Sequence, residues 1–268
     1  MASYSTLTVE QRGAVMLITL ARPEVLNAFN AEMQVELRGV WRDLRLDDSV
    51  NVAVITGAGD RAFTVGIDRN QPMTGAEGRV FGTSNSFMYD DPGMDLGPKS
   101  CDLWKPVIAA VNGMACGGAF YILAETDVIV ASDKATFFDP HVTYGMAAVY
   151  EPMKMLQRMP LGEVLRMSLV GAHEVISAAT AMRMGLVSEV VAGDELLESA
   201  LQLADTIASQ PAQAVQATLR AIWAANELSP GQAIGIAPSI LANGMSAEAL
   251  AEGQKVFESG VRIKPKVR

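Results

Sequence analysis

The chain has 268 residues, half of them hydrophobic and 19% charged, with a formal net charge of −9. That length supports a large core, as one big domain or one domain with an appendage. The negative balance argues against nucleic acid or an anionic membrane as a partner, and leaves any phosphate ligand to local basic residues or backbone N–H groups. Met1 to Gln11 carries neither a basic region nor a long apolar core, so it does not read as a signal peptide. The two cysteines, Cys101 and Cys116, lack CxxC spacing and read as reduced thiols of a cytoplasmic protein.

Short strands are expected at residues 6–10 and 15–20. Asn30 is placed to cap a helix over 31–44, where Met33, Leu37, Val40, Trp41 and Leu44 recur at helical spacing. An apolar strand at 52–56 then leads to Ala62-Phe63-Thr64-Val65-Gly66-Ile67-Asp68. Residues 73–100 hold Gly75, Gly78, Gly82, Gly93 and Gly97 and predict a long mobile loop beside the site. A second apolar run, Pro106-Val107-Ile108-Ala109-Ala110-Val111, leads into Asn112-Gly113-Met114-Ala115-Cys116-Gly117-Gly118. Each is a buried-looking strand entering a turn that only small residues fit. Such turns can aim unpaired backbone N–H groups at a bound oxygen, and a helix opening at Gly118 adds the positive end of its dipole. Two N–H groups on one oxygen make an oxyanion hole.

Pro106 to Ala124 is nineteen residues without a charge, close to membrane-spanning length. Pro106, Asn112, Gly113, Gly117 and Gly118 cut it into strand-sized pieces, so no membrane span is expected. Strands follow at 127–131 and 135–138. From about Glu151 the pattern turns mostly helical, with apolar residues at helical spacing over 196–209, 211–225 and 246–257. Alternation of buried strands and helices argues α/β architecture. The sequence holds no HExxH, CxxC, P-loop or dinucleotide glycine motif, and neither a metal nor a redox cofactor is expected.

At the two glycine turns the chain resembles the enoyl-CoA hydratase/isomerase superfamily, the crotonase family. Ile18-Thr19-Leu20-Ala21-Arg22-Pro23-Glu24-Val25-Leu26-Asn27-Ala28-Phe29-Asn30 looks like the family's T-L-x-R-P-x-x-x-N-A-L segment. Ile176-Ser177-Ala178, followed by Met184-Gly185-Leu186-Val187-Ser188-Glu189-Val190-Val191, looks like its I-S-A … A-x-x-x-G-L-V-x-x-V segment. The resemblance implies a crotonase-like α/β spiral of ββα turns over 1–195. It also implies a C-terminal helical region over 196–268 that builds trimers pairing into hexamers, whereas the apolar spacing alone says only that these helices bury a face, within the subunit or against a partner. The implied substrate is an acyl-CoA thioester, with coenzyme A part of the substrate and no separate cofactor. The N–H groups of Ile67 and Gly118 would hold the thioester oxygen as it becomes an enolate, in turns shaped by Gly66 and Gly117. Asp68 reads as a brace of the first turn. Val25, Leu26 and Ala28 match a segment that contacts CoA in relatives. Arg22, Arg69, Lys264 and Lys266 are candidate phosphate contacts, although a terminal basic run is usually just solvated.

The catalytic side chains depart from the family pattern. Hydratases of the family carry one glutamate three residues after the second oxyanion glycine, where this chain has Tyr121, and another after a F-x-x-P-like strand end, where it has His141. Tyr121 either blocks a site no longer used or acts as a phenol that orients water or donates a proton, and Glu125, four residues on, is placed to orient it. His141, at a strand end, is structural or is the proton-transfer group, its ordinary pKa near neutrality suiting either direction. Glu151, before Pro152 at a helix start, is a dipole-favoured surface carboxylate or a site residue. Dehalogenases and β-diketone hydrolases of the same superfamily place an aspartate in this segment, and those hydrolases share a histidine at the position of His141. Tyr144 and Tyr150 flank the same loop as pocket candidates, and His173 reads as a surface or capping residue. The sequence therefore points to acyl-CoA enolate chemistry with His141 and Glu151 in place of the glutamates. A hydrolase of a β-diketone or other acyl substrate, and a CoA-binding subunit without turnover, are the alternatives.

Overall fold

A computed structural model describes residues 4–70, 93–260 and 262–267. The chain divides into two compact units, Met1–Asp205 and Thr206–Arg268.

In the first unit the chain starts as a hairpin, β1 (Leu7–Arg12) and β2 (Val15–Leu20), followed by helix α1 (Ala31–Leu46). Asn30 caps that helix by accepting a hydrogen bond from the Met33 N–H, and Met33, Leu37, Val40, Trp41 and Leu44 form its buried stripe. Then come β3 (Val52–Gly57), β4 (Ala62–Thr64), β5 (Val107–Val111), β6 (Met114–Cys116), helix α2 (Ala119–Glu125), β7 (Val128–Ser132) and β8 (Thr136–Phe138). After them follow α3 (Tyr150–Met155), α4 (Leu161–Val170), β9 (Ile176–Ser177), α5 (Ala178–Arg183), β10 (Glu189–Val191) and α6 (Leu196–Ala208), whose last turn belongs to the second unit.

The strands sort into two sheets in a regular alternation. The larger runs β1-β2-β3-β5-β7-β10 and the smaller β4-β6-β8-β9. Each of β3, β5 and β7 lies in the large sheet, and the strand after it lies in the small one. This repeat is the ββα spiral expected of the chain. Strands β3 and β5 are buried along their whole length, as parallel strands covered on both faces must be. In the small sheet β4, β6 and β8 are parallel, with Cys116 opposite Phe138. Parallel neighbours end at one edge, so the residues after β4, β6 and β8 come out side by side. Those residues are the first glycine turn, the second glycine turn and the segment carrying His141.

The second unit holds α7 (Ala212–Glu227), α8 (Pro230–Gly244) and α9 (Ala247–Glu258). Helices α7 and α8 come together closely at Gly244, where a Cβ would collide with that of Ala217. Trp223 is buried, while Ile222, Ile234, Leu241, Leu250, Val256 and Phe257 are exposed. Helix α8 is the element the sequence pattern does not announce. Pro230, Gly231, Gly235 and Pro238 obscure its periodicity, yet Pro230 stands in its first turn and Ser229 with Gln232 forms a capping box. Of the loop expected over 73–100, residues 73–92 lie outside the described residues, and 93–100 is a succession of turns. Among the described residues no helix is long and apolar enough to cross a membrane, and no group of three or more metal-binding side chains occurs.

Candidate active site

The first glycine turn is held by a segment from the start of the chain. The Phe29 N–H donates to Gly66 O (2.8 Å) and the Asp68 N–H donates to Phe29 O (2.8 Å). This is a short parallel bridge between Phe29 and Ile67. In such a bridge the peptide groups flanking Ile67 are used, and the N–H of Ile67 itself points away from Phe29. The same segment is laced down by Thr64 Oγ1 on Asn27 O (2.6 Å) and by Asn27 Nδ2 on Ala62 O (2.8 Å). A buried ion pair, Arg22 Nη2 to Asp68 Oδ2 at 2.9 Å, closes the staple, and Arg22 Nη1 also donates to Ala28 O. Arg22 is thus turned inward onto Asp68 and does not stand free at the surface for a phosphate.

The second turn meets the first. Gly66 has φ +85°, and a Cβ there would stand 2.6 Å from Gly118 N. A Cβ on Gly118 would stand 2.6 Å from the Phe29 ring, so both glycines are required by close approach. Among the described residues the chain's own hydrogen bonding uses neither the Ile67 nor the Gly118 N–H. Two neighbouring turns therefore each present an amide donor, and helix α2 begins immediately after the second. Such a pair is suited to an oxygen that gains negative charge during a reaction.

The third parallel strand leads to His141. Beyond β8, Asp139 is fully buried and His141 is partly exposed. Asp139 Oδ1 accepts the His141 N–H (3.2 Å) and lies 2.5 Å from its ring Nδ1. The other ring nitrogen, Nε2, is 3.5 Å from Glu151 Oε1, on the buried side of α3. The hydrogen bond to Asp139 raises the His141 pKa above 6.5; burial opposes this, Glu151 adds to it, and Arg69 subtracts. The His141 ring faces the second turn: its Cε1 is 3.6 Å from where a Cβ of Gly117 would be. The arrangement can hold, give or take a proton beside the amide donors.

Tyr121 is in a different setting. It belongs to the apolar core, almost fully buried, with Lys154 Nζ 5.4 Å from the ring centroid. Gly93 packs so closely that a Cβ there would collide with the ring. Glu125 does not turn to the phenol. Its carboxylate accepts from Lys154 Nζ (2.6 Å) and from Ser100 N (2.7 Å) and Oγ (3.0 Å). At the far end of α2, Arg158 donates to the carbonyls of Ala124 and Thr126.

The remaining candidates scatter around these turns. Val25 closes a one-turn helix and Leu26 follows in a left-handed conformation, both half-buried. Tyr144 is exposed, with the Arg69 guanidinium 4.2 Å above its ring, and Tyr150 is half-buried at the start of α3. His173 is exposed in a short turn. Cys116 lies between the turns, its Sγ 3.6 Å from Val65 O; burial pushes its thiol up to about 12, which leaves it a poor nucleophile. Two residues of this site escape a reading of the sequence. Asp139 is signalled only by its spacing from His141, the Asx pattern in which a side chain accepts the N–H two residues on. Phe29 carries no local signal, because its role comes from pairing across the fold.

The family model described as enoyl-CoA hydratase/isomerase matches residues 10–259. The (E)-benzylidenesuccinyl-CoA hydratase of Thauera aromatica is 35% identical over 216 residues, covering 80% of this chain and 81% of the relative. The carnitinyl-CoA dehydratase of Proteus mirabilis is 35% identical over 232 residues, covering 84% and 82%. A crystal structure of an enoyl-CoA hydratase/isomerase from Mycobacterium paratuberculosis superposes with a TM-score of 0.85 at 35% identity, covering 96% of this chain and 97% of that one.

Proposed function

The chain belongs to the enoyl-CoA hydratase/isomerase family, and from that premise we propose that it binds an acyl-CoA thioester and stabilises its enolate. The Ile67 and Gly118 amides receive the thioester oxygen, and His141 with Glu151 moves the proton at the neighbouring carbons. One observation carries this reading: the strand that runs parallel to β6 sets His141 beside the Gly117-Gly118 turn, with Nε2 3.5 Å from a buried carboxylate. An acid–base pair next to two unspent amides is what enolate formation requires. Two of the similar proteins are named as a hydratase and a dehydratase of CoA thioesters, which favours addition or removal of water as the overall reaction. In this reading coenzyme A enters as part of the substrate, with Val25, Leu26 and Ala28 along its path.

The same pair supports a second reading. A histidine backed by a carboxylate can activate water for attack on a carbonyl held by the two amides, which is hydrolysis of an acyl or β-diketone substrate. Product analysis on a panel of enoyl-CoA and 3-hydroxyacyl-CoA thioesters and cyclic β-diketones separates the two. A 3-hydroxyacyl-CoA or enoyl-CoA product supports the first reading, free acid or ring-opened product the second, and no turnover of any member overturns both. The C-terminal helical region over 196–268 is the part assigned to self-association, as a trimer or a pair of trimers. Its exposed apolar residues, Ile234, Leu241, Leu250 and Phe257, support an interface there, and light scattering on the purified protein measures the assembly.

A further inference from the structure

We propose that Asp139 is a positioning residue of this site: by accepting the Nδ1 proton of His141 it leaves Nε2 as the working nitrogen, aimed toward Glu151. The inference rests on the reading of His141 as the proton-transfer group. Its basis is separate: the geometry of a fully buried carboxylate that makes two contacts with a single residue.

Asp139 Oδ1 is 2.5 Å from Nδ1 and 3.2 Å from the backbone N of His141. Two bare lone pairs do not approach to 2.5 Å, so one of the two atoms carries a proton between them. With Asp139 ionised, that proton is on Nδ1, and the tautomer follows: Nε2 is the nitrogen that gains or loses a proton during turnover. The backbone contact fixes the carboxylate against the same residue whose ring it holds, so ring and peptide cannot rotate independently. Among the described residues Asp139 Oδ2 has no hydrogen-bond partner, although it is buried. A carboxylate with one free oxygen in the interior is costly unless a positive charge is near. An imidazolium at His141 supplies that charge.

The charged groups facing His141 come from three places: Asp139 after β8, Glu151 on α3, and Arg69 beyond the first glycine turn. Only Asp139 bonds the ring directly, and it gives the largest of their effects on the imidazole. Removing its charge while keeping its shape should move the imidazole back toward, or below, its ordinary acidity. It should also let the ring take the other tautomer, because an amide can donate to a bare Nδ1 as well as accept from a protonated one.

The test is Asp139→Asn, read in two ways. Ring-labelled [13C,15N]histidine protein has two histidine signals, His141 and the exposed His173. In the wild type the His141 signal should show a protonated Nδ1 and a midpoint above 6.5. In Asp139→Asn the midpoint should fall and the Nδ1 signature should weaken, with His173 unmoved. Steady-state kinetics on the best thioester of the panel should show kcat falling by about 10²- to 10⁴-fold, the range in which tautomer control acts in related acid–base pairs. KM should change little, and the acidic limb of the pH profile should move to lower pH. A wild-type His141 with a bare Nδ1 overturns the proposal, whatever the variant does. So does an Asp139→Asn protein with wild-type kcat and midpoint. If instead His141→Ala keeps full activity while the tautomer and midpoint behave as stated, the role of His141 in catalysis fails and its coupling to Asp139 stands.

Discussion

The two halves of the candidate site are made of different material. The donor half, residues 65–68 and 117–118, is backbone: its geometry comes from Gly66 and Gly118, which admit no Cβ, and from a bridge to Phe29. The acid–base half is side chains: Tyr121 on α2, and Asp139, His141 and Glu151 around the end of β8. The difference shows how each half tolerates change. A backbone donor needs a peptide in a fixed place, which many neighbours enforce together. A side-chain acid or base needs one residue and its partner, so it can be replaced while the frame is kept. Within the second half the contrast repeats, since Tyr121 is sealed in the apolar core whereas His141 is partly exposed between two carboxylates.

Four substitutions or conditions break or sharpen this comparison. The largest effect is expected for His141→Ala, which should lower kcat by about 10²- to 10⁴-fold, as loss of a general acid or base does. Substrate affinity should barely change, because the donors are elsewhere, and steady-state kinetics of the two proteins is the measurement. A wild-type rate in that variant would move the acid–base role to Glu151. Next comes Gly66→Ala, whose methyl would stand 2.6 Å from Gly118 N. It should cost about 10²- to 10³-fold in kcat, comparable to loss of one donor. A thermal melt accompanies it, because an L-residue at φ +85° also adds about 1–2 kcal/mol of strain. Gly118→Pro is the poorer probe of the same amide, since its ring would also enter the space of Phe29.

Tyr121→Phe should change kcat by no more than about threefold, a margin far below the 10²-fold floor for an acid–base group. A loss beyond 10²-fold would return the phenol to the chemistry and erase the contrast with His141. The smallest effect is on stability against pH. Asp139 raises the His141 pKa in the fold, so the folded chain binds that proton more tightly than the unfolded one. The stabilisation is fully present below the ordinary value of 6.5 and is lost as pH rises through the higher folded value. The gap in melting temperature between wild type and His141→Ala should therefore narrow above that pH. A gap that widens with pH would reverse the sign of the Asp139–His141 coupling.

The sequence carries the donor half more openly than the other. Buried strands running into Gly66 and Gly117-Gly118 are local patterns, and the helix after Asn30 follows from its cap and apolar stripe. The two-sheet alternation is less visible, because β4, β6 and β8 are three residues each and become strands through their neighbours. The partners of His141 are less visible still. Glu151 is ten positions on and meets the ring only because α3 folds back, while Asp139 is close in sequence but its contact depends on a turn. Arg22 illustrates the limit: as a sequence it is a free cation, and in the fold it is buried against Asp68.

Phe29 joins its backbone to the first turn and its ring to the second, so the distance between the two amides is set by a residue remote from both. The residues of the site run from Phe29 to Glu151, so no short piece of this chain contains it. It comes into being only when the opening segment has docked on sheets completed much later during synthesis, and contacts of that range form slowly. Recovery of activity during refolding should consequently trail the recovery of helical and strand signals. A nascent or truncated chain that already shows secondary structure should have no working amide pair.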